Sequence, residues 1–312
     1  MLNDTRYVLP ETAERVHAAI RELNYFPSSI AKSLRVQKTN TIGVLMPVML
    51  QNISDAYNMQ IAHGIRQGLK QANYNLILGS TENSVESELR QIQSFIEQRV
   101  DGLIVIPSSS VIDYLSDLQN LKLPMVFVDR KVKGSYGDCV LCDDYNGSCE
   151  AVNALISKGH GKIGAISLNY KVTTVEDRVR GYKSALRDAG IEIAENRILY
   201  GDCNFDVGVE LMKKMIEQCD VTAVFVADNL LALGALSYIH RTSITIPDDL
   251  ALIAFDDMGW EMAMRPTVST VRQPAFDLGV KAAQLMLERL ENPDKPFETC
   301  LLSTQLLLRE SI

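Results

Sequence analysis

This chain of 312 residues has no long hydrophobic run: no apolar stretch approaches the roughly 20 residues a membrane-crossing helix needs. Its first residues, MLNDTRYVLPETAERV, contain no apolar core of the signal-peptide type. Export and membrane insertion are therefore not expected, and a cytoplasmic location is. Histidine is scarce, with His17, His63, His160 and His240 too scattered to share a ligand spacing. The patterns GxxxxGK[ST], GxSxG and HExxH are all missing, which removes the usual phosphate-cradling, acyl-transfer and zinc-hydrolase chemistries. The sequence thus gives no reason to expect catalysis, a metal or a cofactor.

Two motifs that are present dissolve on inspection. Cys139 and Cys142 form a CxxC, but within CVLCDD, which reads as a strand. Residues three apart on a strand point to opposite faces, so they cannot share a metal or a bridge. Gly159-His160-Gly161-Lys162-Ile163-Gly164 satisfies GxGxxG. A dinucleotide site needs a strand before that motif and a helix after it, so that the helix N-terminus meets pyrophosphate. Here the helix precedes and the strand follows, so the glycines predict a helix C-cap and a turn.

What the sequence has is alternation. Apolar runs at 41–46, 75–79, 102–106, 125–129, 162–167, 222–227 and 250–255 read as strands. Between them Ile61/Ile65/Leu69, Leu89/Ile92/Ile96, Val152/Leu155/Ile156, Met212/Met215/Ile216 and Leu230/Leu233/Leu236 recur at helical spacing. Continuously apolar strands separated by helices predict doubly wound parallel sheets, covered on both faces. The length suits two such α/β lobes. In open sheets of this kind ligands bind at the C-terminal strand ends, so two lobes can face each other across a cleft. A last helix, 277–291, and two final strands would return to the lobes and make the connection a hinge.

Charge is unevenly spread. The total is −8, yet residues 1–40 carry six bases and four acids, a net of +2, so the rest carries −10. Ser28 to Asn40 holds three bases and no acid, so any phosphate contact belongs there. Pro10 opens an amphipathic helix over 11–23, with Ala13, Val16, Ile20 and Leu23 on one face. SSIAKSLR follows as a second, short helix start.

The stretch VLPETAERVHAAIRELNYFPSSIAKSLRVQKTNTIGVLMP resembles the segment joining the DNA-binding and sensing parts of the lac repressor family of bacterial regulators. The likeness continues in family order through SKGHGKIGAIS, DRVRGYKSAL, FVADNLLALGAL, IPDDLALIAFDD and RPTVSTVRQP, and so covers essentially the whole chain. It implies two periplasmic-binding-protein-like lobes with a residual all-α N-terminal head and hinge helix. The expected domains are a partial DNA-binding head and hinge at 1–40, an N-terminal sensor lobe at 41–161 plus about 274–297, and a C-terminal lobe at 162–273 plus about 298–312. By the same resemblance Ser28, Ser29, Ala31, Lys32, Leu34 and Arg35 form the DNA hinge, with Leu34 as the wedge and Lys32 and Arg35 near phosphates. Met1-Leu2-Asn3 matches the end of the family's recognition helix, so the base-reading helices are expected to be missing ahead of it. A small sugar or sugar derivative is the implied effector, with a nucleobase or a sugar acid as alternatives, and operator DNA, given a full head, and a second copy of the chain are the implied partners.

The resemblance also implies effector contacts. Arg178 stands three residues before Gly181, Asp256 follows the strand at 250–255, and Asp129 ends MVFVD. Asp228 and Asn229 occupy a pair the family usually writes Asn-Asp. Where relatives carry an aromatic residue this chain has Cys203, with Phe205 two further on, and the loop VMLQNISDAY, longer than the family's, offers Gln51, Asn52, Asp55 and Tyr57. The expected activity is effector-responsive regulation of transcription. The alternative is a sugar-binding protein without DNA binding, and the more distant rivals are an exported binding protein or an α/β enzyme.

Overall fold

The apolar runs fold as strands buried on both faces, and the amphipathic segments cover them. The computed structural model describes residues 9–23, 38–48, 55–111, 123–134 and 137–312. The first sheet contains β1 (Thr41–Met46), β2 (Asn75–Ser80), β3 (Gly102–Val105), β4 (Met125–Asp129), β5 (Asp138–Cys142) and β11 (Thr299–Leu302) in the order β11-β5-β4-β3-β1-β2. The second contains β6 (Ile163–Leu168), β7 (Ile198–Gly201), β8 (Ala223–Val226), β9 (Ala251–Phe255), β10 (Ser269–Arg272) and β12 (Gln305–Leu307), in the order β12-β10-β9-β8-β6-β7. Every pairing is parallel except β10 with β12. The internal repeat is therefore one of topology: each sheet reverses its strand order beside its first strand, where open sheets bind ligands.

The helices of this unit are α2 (Asp55–Leu69), α3 (Val85–Glu97), α4 (Asp144–Ser157), α5 (Thr173–Asp188), α6 (Phe205–Gln218), α7 (Asn229–Ile239) and α8 (Ala275–Glu291). Ile61, Ile65 and Leu69 of α2 are buried against the first sheet together with Leu278, Ala282 and Leu285 of α8. That contact is close because Gly64 and Gly279 leave no Cβ between the helices; one added at Gly279 would sit 2.1 Å from the Ile61 carbonyl oxygen. No helix among the described residues is long and apolar enough to cross a membrane.

Two boundaries differ from the sequence expectation. Helix α4, expected in the first lobe, packs Ala151, Val152 and Leu155 into the core of the second with Phe225, Phe255 and Val271. Strand β11, expected in the second lobe, pairs with β5 in the first. Periodicity says that an element buries a face but not against which sheet. The chain accordingly crosses between lobes after β5, after β10 and after β11.

The dismissed motifs behave as their surroundings demand. Gly159, at φ +95°, ends α4 in a turn before β6. Cys139 and Cys142 sit in clusters on opposite faces of the first sheet, and both thiols are free.

Residues 1–40 form a separate compact unit. Its described helix, α1 (Pro10–Glu22), has Pro at its first turn and half-buries Ala13, Val16 and Ile20 on one face. The expected hinge residues Ser28, Ser29, Ala31, Lys32, Leu34 and Arg35 lie outside the described residues.

Candidate functional site

The C-terminal ends of the two sheets converge on one cleft, lined from the first lobe by Asp55, Tyr57, Asp129 and Arg130. The second lobe contributes Arg178, Asp228, Asn229 and Asp256. The cleft is partly open and its volume is about 100 Å³, which suits a small molecule. Asp129 ends β4 and Asp256 directly follows β9, the corresponding strand of the other sheet. Both adopt left-handed backbone, at φ 68° and 72°. Such conformations cost on the order of 1–3 kcal/mol each in non-glycine residues and persist where surrounding structure enforces them, commonly at ligand sites. One buried carboxylate from each lobe thereby lines the cleft.

A chain of polar contacts joins these carboxylates. The Tyr57 hydroxyl donates to Asp129 Oδ1 at 2.6 Å and lies 2.9 Å from Gln273 Oε1. Gln273 Nε2 donates to Asp256 Oδ1 at 2.5 Å, and Asn229 Nδ2 donates to Asp256 Oδ2 at 3.1 Å. Gln273 occupies the β10–α8 crossover, so the chain runs from one lobe through the hinge to the other. All five residues are less than 10 % exposed.

The two arginines differ. Arg178 Nε donates to Asp144 Oδ1 at 2.7 Å, its Nη1 to the Ala227 carbonyl at 2.9 Å, and its Cζ lies 3.8 Å from the Phe255 ring centroid. Among the described residues Nη2 makes no hydrogen bond. Arg130 Nη1 donates to Asn83 Oδ1 at 2.9 Å and to the Pro107 carbonyl at 3.0 Å. Its buried Nε has no hydrogen-bond partner among the described residues, with Asp129 Oδ2 at 3.6 Å. A buried donor left open in this way costs about 1–3 kcal/mol unless a ligand or water completes it.

Burial dominates the acid–base behaviour. It pushes Asp144 up to about 7, with Arg178 opposing the shift, and Asp228 up to about 6, with the Leu231 amide opposing. Asp129 is raised by burial despite the adjacent Arg130. Tyr57 is raised well above its ordinary value by burial and then by the Asp129 charge, so its hydroxyl stays a donor. Burial also works against the Arg178 charge, but Asp144 and Asp256 together hold that group above its usual value. The Asp228 carboxylate caps α7, accepting from the Leu230 and Leu231 amides at 3.0 Å each. Chemically the cleft offers carboxylate acceptors and arginine donors in fixed positions, which suits a molecule with several hydroxyls.

Six of the seven sequence-predicted effector residues, Tyr57, Asp129, Arg178, Asp228, Asn229 and Asp256, line this cleft together. Phe205 does not: it is the first residue of α6, and its carbonyl oxygen faces Gly234 of α7. Asp55 lines the mouth, while Gln51 and Asn52 lie outside the described residues. The sequence reading missed Arg130, Gln273 and the supporting Asp144. Each stands beside a residue it did select or at a strand end: Arg130 follows Asp129 in MVFVDR, Gln273 follows β10, and Asp144 starts the helix after CVLC. Cys203 takes a lining position, and the aromatic lining residues are Tyr57 and Tyr170.

Comparison with known proteins agrees with this architecture. Residues 152–312 match the family model of a periplasmic binding protein-like domain. The chain is 32% identical over 314 residues to a ribose operon repressor of Haemophilus influenzae, with all of the chain and 93% of that protein covered. It is 31% identical over 315 residues to the HTH-type transcriptional repressor PurR of Pasteurella multocida, again with all of the chain and 93% of the relative covered. A ribose-bound LacI family transcriptional regulator from Enterococcus faecium superposes with a TM-score of 0.76 at 26% identity, over 87% of this chain and 98% of that one.

Proposed function

The chain belongs to the LacI family of transcriptional regulators, and from that premise we propose that it regulates transcription in response to a small uncharged sugar, of pentose size, held between its lobes. The observation that carries this reading is the convergence on one cleft of Asp129 and Arg130 from the first lobe and Arg178 and Asp256 from the second. Carboxylates and guanidinium groups at fixed angles pair with vicinal hydroxyls. The small volume favours a monosaccharide over a large oligosaccharide, and the two tyrosines offer little stacking surface to a planar base. Five cleft and supporting carboxylates, Asp55, Asp129, Asp144, Asp228 and Asp256, face two arginines, an excess that disfavours a sugar acid or phosphate. The ribose operon repressor and the ribose-bound regulator among the relatives support a ribose-like ligand.

The proposed mechanism needs no catalysis. The effector bridges both lobes and alters the crossover geometry at Gln273. The resulting lobe angle sets the spacing of paired segments 28–35 in a homodimer, and so the affinity for operator DNA. The protein acts in the cytoplasm, where such DNA is found. That the relatives are named as repressors favours regulation over simple sugar capture.

Calorimetric titration of D-ribose, D-ribonate and hypoxanthine into the protein tests the reading. Saturable one-to-one heat with D-ribose and weaker or no binding of D-ribonate is expected. Tight binding of D-ribonate or hypoxanthine without D-ribose binding would remove the neutral-sugar assignment.

A further inference from the structure

A second groove opens on the second lobe, between α5 and the edge strand β7, with a volume of about 490 Å³. That size lies within the roughly 300–1,000 Å³ usual for small-molecule sites. Its floor is apolar, built from Leu168, Val175 and Val179, and the ring of Tyr200, 47% exposed, stands at its rim.

Its charge runs against that of the chain. Lys171, Arg180, Lys183 and Arg187 line it, against the single acid Glu176, in a chain whose net charge is −8. Arg180, Lys183 and Arg187 fall three and four residues apart, so α5 presents them along one face. Two of them have partners outside the groove: Arg180 lies 2.8 Å from Asp177, and Lys183 lies 2.7 Å from Glu195. Each pair has one well-exposed member, Arg180 at 64% and Glu195 at 70%, and ion pairs reached by solvent contribute little, so a ligand anion can replace either acid. Among the described residues no carboxylate is within ion-pair range of Lys171 or Arg187. An apolar floor under a row of cations is complementary to an anionic head on an apolar body.

We propose that this groove is a second ligand site, for a small organic anion: a phosphorylated or carboxylated molecule with an apolar or aromatic body. It is distinct from the effector cleft yet shares a wall with it, because Leu168, Tyr170 and Val175 line both. The Tyr170 hydroxyl accepts from the Cys203 amide at 3.2 Å, and Cys203 lines the cleft. Helix α5 carries Arg178 into the cleft while presenting its basic face to the groove. An anion held there bears directly on elements that position the effector.

The test is calorimetric titration of the whole protein with phenyl phosphate, alongside phenol and inorganic phosphate as separate halves of the probe. Phenyl phosphate should bind once per chain, more tightly than either half, with affinity falling as salt is raised. The double charge reversal Lys183→Glu/Arg187→Glu should weaken it by at least about tenfold, as loss of a complementary field does. Tyr200→Ala, which leaves the charges in place, should weaken it less. Asp256→Asn, in the cleft, should leave it unchanged. No saturable heat, or binding that survives the charge reversal in a folded variant, overturns the proposal.

Discussion

Arg130 and Arg178 occupy comparable stations, each near a strand-end aspartate of its own lobe, yet the fold treats them differently. Arg178 is fixed before any ligand arrives, held by Asp144, the Ala227 carbonyl and the Phe255 ring. Arg130 is hydrogen-bonded through Nη1 and, among the described residues, keeps a buried Nε without a hydrogen-bond partner. The second lobe is thus pre-organised, while the first holds unused hydrogen-bonding capacity that closure on a ligand would consume. Pre-organisation reduces the ordering cost of binding, and an open donor strengthens the bound state selectively.

Replacing Arg178 should have the largest effect, because it strikes both stability and binding. Arg178→Ala should remove effector binding. It also strands Asp144, 2% exposed, without its cation. Breaking one side of a buried pair costs about 3–5 kcal/mol. Chemical denaturation should register that loss, and calorimetry the loss of D-ribose binding. A variant of full stability would show that Asp144 does not depend on Arg178.

Asp228→Asn sharpens the comparison from the acid side, since asparagine retains the cap on α7 without the charge. Burial raises Asp228 to about 6, so the fold binds its proton more tightly than the unfolded chain does. Stability linked to this group is therefore greatest at low pH, falls as pH rises from about 4 to about 6, and is level above. The variant should gain about 3 kcal/mol over the parent at pH 8, at 1.36 kcal/mol per pKa unit, and the gain should shrink toward pH 4. Denaturation curves at both pH values check this, and a gain independent of pH would contradict it.

Arg130→Ala should cost less in stability than Arg178→Ala, about 1–2 kcal/mol, because its hydrogen-bonded anchors are a neutral side chain and a carbonyl, and Asp129, 3.6 Å away, keeps its bond from Tyr57. Binding of D-ribose should nevertheless weaken by about tenfold or more, the worth of one charge-assisted hydrogen bond. Equal stability losses for the two arginines would erase the distinction drawn between them. Tyr57→Phe should be mildest, removing the 2.6 Å bond to Asp129 while keeping the ring, and lowering affinity by a few-fold.

The fold was largely legible because its strands are apolar throughout and its helices periodic, both of which burial enforces locally. Which lobe receives α4 and which sheet receives β11 was not, because crossovers leave no periodic trace. In the cleft, the resemblance pointed to Arg178, Asp129, Asp228 and Asp256, and the three aspartates stand at or just after strand ends, where open sheets bind ligands. Arg130 and Gln273 were missed since their roles arise from contacts 23 to 216 residues away in sequence, to Pro107, Asn83 and Tyr57. Phe205 was misplaced because an aromatic near a cleft loop is equally at home packing a helix start.

A crystal structure of the protein soaked with D-ribose tests the central claim most directly. The account predicts one sugar between the lobes, its hydroxyls shared between Asp129 and Arg130 on one side and Arg178 and Asp256 on the other. A sugar touching only one lobe, or bound elsewhere while the cleft holds only water, would contradict it.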